Sequence, residues 1–269
     1  MQQKLIEGIH SLSYTSTGTG ETIVLIHGFG EDNRIWNQQV AYLQNNYHLL
    51  IPDLPGTGQS EIGNSELSVE SMAALIKQML DEEKIGQCIM LGHSMGGYVA
   101  LAFAENYSER LLGLGLIHST AYADSNEKKE ARQKSIGFIQ EHGAFEFIKT
   151  TIPNLFSKRF NEEQKPIVDE LIEQGNQFTA ETLIAYYTAM INRPNRSHIL
   201  QKATVPVLFF IGEKDKAVSP TDALEQTALP AVCMVKLVPG IAHMGMLEAT
   251  DELNSTIGEF CTTVNEQSL

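Results

Sequence analysis

Cysteine is scarce and poorly placed for cross-linking: the three in this 269-residue chain, Cys88, Cys233 and Cys261, are odd in number, scattered and without CxxC spacing. That pattern argues against a disulfide framework and offers no zinc-ligand cluster. A reducing, cytoplasmic setting is therefore expected, and no metal. Basic residues are also few. Nineteen Lys and Arg face 33 Asp and Glu, a formal net charge of -14, which repels phosphate backbones and anionic membrane surfaces and argues against nucleic acid as a partner. Long apolar runs are missing too. None approaches the roughly 20 residues of a membrane span, and the opening MQQKLIEGIHSLSY has no basic stretch followed by an apolar one, so neither a membrane partner nor a secretory leader is expected.

What is present is an ordinary globular composition, 42% hydrophobic and 19% charged, enough for one well-buried domain of α/β type or one domain with an insertion. The acidity is uneven. Residues 119–196 hold 10 Lys and Arg against 11 Asp and Glu, leaving 9 against 22 for the rest.

Short β-rich runs at 22–26, 47–51, 88–91 and 111–117 alternate with helical patterns at 34–44, 68–84 and 95–107. In the second helix Met72, Leu75, Ile76, Met79 and Leu80 fall at helical spacing. Strand, helix, strand alternation implies parallel pairing through right-handed crossovers, while SLSYTST reads as an antiparallel partner. About 80 residues then pass without a convincing strand, longer than a plain crossover needs. Candidate helices at 127–142, 144–150, 162–174 and 180–192 point to an inserted helical lid at 119–196, between a first core part at 1–118 and a second at 197–269. Strand rhythm resumes at 205–212 and 232–239, with helices from 220 and over 246–262.

Chemistry-bearing residues stand where these strands end. IMLGHSMGGYVALAFA places Gly92, Ser94 and Gly96 between a strand and a helix, the context that a strained G-x-S-x-G nucleophile turn requires. TIVLIHGFG ends a neighbouring strand in a glycine turn able to expose a backbone donor; with the residue after the serine, the Phe29 and Met95 N–H groups form a candidate oxyanion hole. Of eight histidines, His243 lies in the loop after the last strand, VPGIAHMGMLE, and is the candidate base. Asp215, in GEKDKAVSP after the preceding strand, is the candidate acid, with Glu213 and Asp222 as competitors. His27, Gly28, His118 and Met244 flank these positions and are pocket candidates, although His27 is also read as a brace within its own turn, and His118 as either pocket or structural. His93 is read as a packing residue turned away from Ser94 Oγ, and Trp36 as a helix anchor.

HGFG with Trp36, DLPGTGQS, GHSMGG, GEKD and the late His243 together resemble the α/β-hydrolase superfamily, in particular its small lidded esterases, perhydrolases and C–C hydrolases. The resemblance implies a mostly parallel eight-stranded sheet flanked by helices, the order Ser94, Asp215, His243 for the triad, a small-molecule substrate and no cofactor. Related dehalogenases and epoxide hydrolases have aspartate where Ser94 stands. Thr57 departs from the histidine of DLPGHG-type loops. Cleavage of a small, largely apolar carboxylic ester is expected, with C–C cleavage, lyase chemistry or a slowly hydrolysing ligand receptor as alternatives on the same frame.

Overall fold

The computed structural model describes residues 2–267. In chain order the elements are β1 (Gln2–Ile6), β2 (Leu12–Thr17), β3 (Glu21–Ile26), α1 (Asn37–Leu43), β4 (Tyr47–Asp53), α2 (Val69–Glu82), β5 (Cys88–His93), α3 (Met95–Asn106) and β6 (Leu111–Ile117). A run of helices follows: α4 (Asn126–His142), α5 (Ala144–Thr151), α6 (Lys158–Glu163), α7 (Lys165–Gln174), α8 (Ala180–Asn192) and α9 (Ser197–Gln201). The chain then returns through β7 (Val207–Gly212), α10 (Pro220–Gln226), β8 (Cys233–Val238), α11 (Gly245–Glu248) and α12 (Thr250–Gln267).

The eight strands form one sheet in the order β1-β2-β4-β3-β5-β6-β7-β8. β2 pairs antiparallel with β1 and β4, and all other neighbours are parallel. The central strands β3, β5 and β7 are near-continuous runs of buried apolar side chains, as a sheet covered on both faces demands. β1 is absent from the sequence-based assignment because its residues are mostly exposed and it pairs only at the sheet's rim.

Local signals explain the helix boundaries. Ser68 and Ser71 form a reciprocal capping box at the start of α2, whose Met72, Ile76, Met79 and Leu80 are buried, and Ser125 and Thr179 cap α4 and α8 through their side chains. The helix expected at 162–174 is two, divided at Gln164 just ahead of Pro166. That expected at 246–262 is also two, parted at Ala249. Trp36 is fully buried. The three cysteines are free, and no helix among the described residues is long and apolar enough to cross a membrane.

Candidate active site

β5 reaches α3 through a single residue, Ser94, whose φ of 50° and ψ of -113° lie outside the ordinary regions for an L-residue. The turn can close this tightly because its flanking positions carry no side chain. A Cβ on Gly92 would sit 2.3 Å from the Gly96 backbone, and one on Gly96 would sit 2.3 Å from the Ile26 carbonyl oxygen. The Ser94 N–H donates to the Ile117 carbonyl at 2.9 Å, and the Ser119 hydroxyl donates to the Ser94 carbonyl at 2.7 Å. Strain at Ser94 is thus held by the neighbouring strand β6, and the hydroxyl is set at the sheet's carboxyl edge.

The glycine turn after β3 abuts this elbow: a Cβ on Gly28 would lie 3.2 Å from Ser94 Cβ. Neither the Phe29 N–H nor the Met95 N–H finds a protein acceptor among the described residues. Both donors are therefore free beside the serine, Met95 being the first residue of α3.

His243 follows β8 and is held from several sides. Its N–H donates to the Leu155 carbonyl at 2.9 Å, and Glu248 accepts from Ala242 N–H at 3.0 Å and from Ser157 N–H at 2.9 Å, tying this loop to the helical segment above it. His243 Nδ1 lies 2.8 Å from Asp215 Oδ2, while Asp215 Oδ1 accepts the Ala217 and Val218 N–H groups at 2.8 and 2.9 Å. Burial alone would raise the Asp215 carboxyl, but His243 and His118 outweigh it and hold the group far below the usual carboxylate range. An ionised Oδ2 requires a proton on His243 Nδ1, so that in the neutral ring the lone pair falls on Nε2. Ser94 and His243 border one cavity of about 250 Å³. Among the described residues no hydrogen bond joins Ser94 Oγ to the imidazole; such contacts are often loose until substrate binds. Glu213 binds the Gly240 N–H and Asp222 lies on α10, so neither competitor touches His243.

The four pocket candidates do not line this cavity. His27 is used by its own turn: Nδ1 donates to the Gly28 carbonyl at 2.8 Å, and Nε2 accepts the Leu54 N–H at 2.9 Å with Thr57 Oγ1 at 3.0 Å. Thr57, the departure in the DLPGTGQS loop, is thereby part of the brace. Gly28 lies beneath the wall, its N–H taken by Glu31, and Met244 is fully buried. His118 is buried behind Asp215, with Nδ1 3.2 Å from the same carboxylate oxygen and Nε2 without a hydrogen-bond partner among the described residues. Burial pushes it down to about 4 against the pull of Asp215, so it is neutral. His118, Asp215 and His243 also form the one group among the described residues whose potential metal-ligand atoms lie within 4.8 Å of one another. In this arrangement both imidazole Nδ1 positions are engaged with the shared carboxylate oxygen.

Sequence reasoning missed Glu31 and misjudged His93. Far from being a packing residue, His93 borders the cavity and pairs with Glu31: its Nδ1 is 2.9 Å from Glu31 Oε2, and its Nε2 is 3.0 Å from the His243 carbonyl oxygen. Both partners are acceptors, so the ring carries two protons and is a cation. Burial would lower His93, but the Glu31 charge and hydrogen bond raise it; burial would likewise raise Glu31, but His93 and the Gly28 N–H lower it. One buried ion pair thus links the glycine turn, the elbow and the His243 loop.

Of the lid aromatics and methionine, only Tyr187 and Met190 reach the cavity, with Phe29, Tyr98 and Leu155 completing an apolar wall. Phe147 packs edge-on against Phe29, and Phe156 stacks on Phe160, so these serve packing. Lys128, Arg132 and Lys216 also border the cavity, so part of its lining is cationic. A larger hollow of about 340 Å³ near Glu105 and His198 contains none of the three candidate residues.

A family model described as "Serine aminopeptidase, S33" matches residues 19–250. Among curated proteins, the chain is 25% identical over 256 residues to the dihydrolipoyllysine-residue acetyltransferase component of the acetoin cleaving system of Cupriavidus necator, covering 94% of this chain but only 66% of that protein. It is also 25% identical over 214 residues to 3-oxoadipate enol-lactonase 2 of Acinetobacter baylyi, covering 79% of each. Among solved structures, a thermophilic esterase from Thermogutta terrifontis in a malate-bound form superposes with a TM-score of 0.92 at 26% identity, over 98% of this chain and 99% of the other.

Proposed function

The chain belongs to the α/β-hydrolase family whose model is described as serine aminopeptidase S33, and from that premise we propose that it hydrolyses carboxylic esters through an acyl-enzyme on Ser94. The observation that carries this reading is the combination at one sheet edge: a strained serine, an imidazole whose Nδ1 is committed to an ionised carboxylate, and two free backbone N–H groups. Its relatives include proteins described as an enol-lactonase and an esterase, whose substrates share an acyl–oxygen bond.

Ser94 Oγ passes its proton to His243 Nε2 and attacks the carbonyl carbon. The resulting oxyanion is received by the Phe29 and Met95 N–H groups, each contributing about 3 kcal/mol in the transition state. The imidazolium, stabilised by Asp215, then protonates the departing alkoxide, leaving the acyl group on Ser94. Water enters, gives a proton to His243, and attacks the acyl carbon; collapse returns the proton to Ser94 and frees the acid. Residues 119–196 act as the lid, since α4 and α8 supply Arg132, Tyr187 and Met190 to the cavity. The cavity's size and its Phe29, Leu155 and Tyr187 wall favour small acyl or aryl groups. Short p-nitrophenyl esters should be turned over by the parent and not by Ser94→Ala. Equal rates for the two proteins would reject the assignment.

A further inference from the structure

Although the chain as a whole is strongly acidic, its candidate substrate cavity is not. On α4, Lys128, Ala131, Arg132 and Ser135 fall at i, i+3, i+4 and i+7 and present one face to the cavity. Lys216 enters from the loop after Asp215. Two of the acids nearby are matched by cations, Glu31 by His93 and Asp124 by two guanidinium groups, while Asp215 is hydrogen-bonded to the Nδ1 atoms of His243 and of the neutral His118. Arg132 Nε donates to Asp124 Oδ2 at 2.6 Å, and Arg193 Nη2 donates to Asp124 Oδ1 at 3.0 Å. One carboxylate between two guanidinium groups leaves a unit of positive charge uncompensated.

The two arginines differ in what they have left to give. Arg193 is spent: it donates to the Met190 and Tyr122 carbonyls and lies 3.8 Å over the Tyr98 ring. Arg132 lies 5.4 Å from the centroid of the Tyr187 ring but hydrogen-bonds only through Nε, and its Nη1 and Nη2 groups have no protein acceptor among the described residues. Its side chain is 15% exposed, at a cavity wall, and oriented by Asp124. Lys128 donates to the Ala217 carbonyl at 2.8 Å and, like Lys216, has no ion-pair partner among the described residues.

We propose that the substrate carries a second, free carboxylate remote from the scissile carbonyl, and that the Arg132 Nη groups bind it, with Lys128 and Lys216 drawing it in. A planar guanidinium fixed through Nε offers the fork that a carboxylate accepts in bidentate fashion, and a cationic pocket in an acidic protein concentrates anions where they react. The reaction class then narrows to half-esters of dicarboxylic acids, or lactones bearing a carboxylate. This inference rests on the serine-hydrolase reading above.

The test compares mono-p-nitrophenyl adipate with p-nitrophenyl methyl adipate, which share the scissile ester and differ at the remote end, a free carboxylate against its uncharged methyl ester. In the parent the anionic ester should show the higher kcat/KM, by about tenfold, the advantage shrinking as salt is raised to about 0.5 M. Arg132→Gln should lower the ratio of kcat/KM for the anionic ester to that for the neutral one about tenfold. Lys216→Gln, at an exposed position, should lower the ratio about twofold and covers the case in which Arg132→Gln does not fold. Adipate itself should bind the Ser94→Ala protein calorimetrically and do so more weakly when Arg132→Gln is added. A parent that prefers the neutral ester, or a ratio untouched by both substitutions and by salt, overturns the carboxylate site while neutral turnover still upholds the hydrolase reading. Unchanged turnover in Ser94→Ala overturns the hydrolase reading instead, and adipate binding then decides the carboxylate site by itself.

Discussion

Replacing Glu31 by glutamine tests whether the buried ion pair holds the site together. Glu31 Oε2 receives the Gly28 N–H at 2.8 Å and the His93 N–H at 2.9 Å, and His93 passes a second N–H to the His243 carbonyl at 3.0 Å. Glutamine preserves shape but removes the charge that keeps His93 doubly protonated. With a neutral ring that still donates from Nε2, the glutamine can turn its oxygen to the Gly28 N–H or its N–H to His93 Nδ1 but not both at the position of Oε2, so one of these two bonds must be lost. Breaking a buried pair by deleting one charge costs about 3 to 5 kcal/mol; because His93 can shed its proton, the lower end, about 3 kcal/mol, is expected. In a domain of this size that is a fall in Tm of about 6 to 12 °C. The pH dependence follows from the directions of both groups. Glu31 is lowered from 4.5, so its contribution is present above that value and is lost as pH falls through the folded pKa. His93 is raised from 6.5, so its contribution is full below that value and is lost as pH rises through the folded pKa. The stability gap between parent and Glu31→Gln should therefore be widest between pH 4.5 and 6.5, read by urea unfolding across that window and above it. Loosening the Gly28 turn also displaces the Phe29 N–H, so kcat on a p-nitrophenyl ester should drop about tenfold. A gap under about 0.5 kcal/mol that does not vary with pH would refute the ion pair.

Two further substitutions probe the carboxylate and imidazoles behind Ser94. Asp215→Asn keeps an acceptor for the Ala217 and Val218 N–H groups but turns an N–H toward His243 Nδ1; the ring must then carry its proton on Nε2, and kcat should fall by about 10⁴ with the fold retained, whereas a loss below tenfold would contradict the assigned tautomer. His118, held down to about 4 from 6.5, binds a proton in the unfolded chain before it does so in the folded one, so it costs stability progressively as pH falls from 6.5 to about 4. His118→Asn, which tolerates the φ of 49° at this position, should flatten the urea-unfolding stability profile over that interval by up to about 3 kcal/mol; parallel profiles would show that His118 does not titrate in this way.

The parts of the site that were legible in the sequence are those marked by local punctuation. Gly92 and Gly96 stand around Ser94 because backbone passes within 2.3 Å of where their side chains would be, and Asp215 and His243 follow β7 and β8 directly. The sheet was legible for the same reason, through alternation of apolar strands with helical spacing, except at β1, where an exposed rim strand carries no apolar run. The pocket was not legible from nearness in the chain. His27 and Met244 adjoin cavity-forming turns, yet one ring is consumed by Leu54 and Gly28, and the other side chain is fully buried. Glu31 and His93 are 62 positions apart, and only the folded arrangement of the elbow against the glycine turn makes them partners. The cationic face of α4 is hidden in the same way, since its remaining polar residues give the helix as a whole no distinctive sign.

The central claim is that one hydroxyl is singled out by its surroundings, and a serine-directed fluorophosphonate reads this most directly. Mass analysis of the digested protein should find one adduct per chain, on the peptide containing Ser94, with ester turnover lost in proportion to labelling and no adduct on Ser94→Ala. Labelling on another serine, or full turnover by a protein fully modified at Ser94, would contradict it.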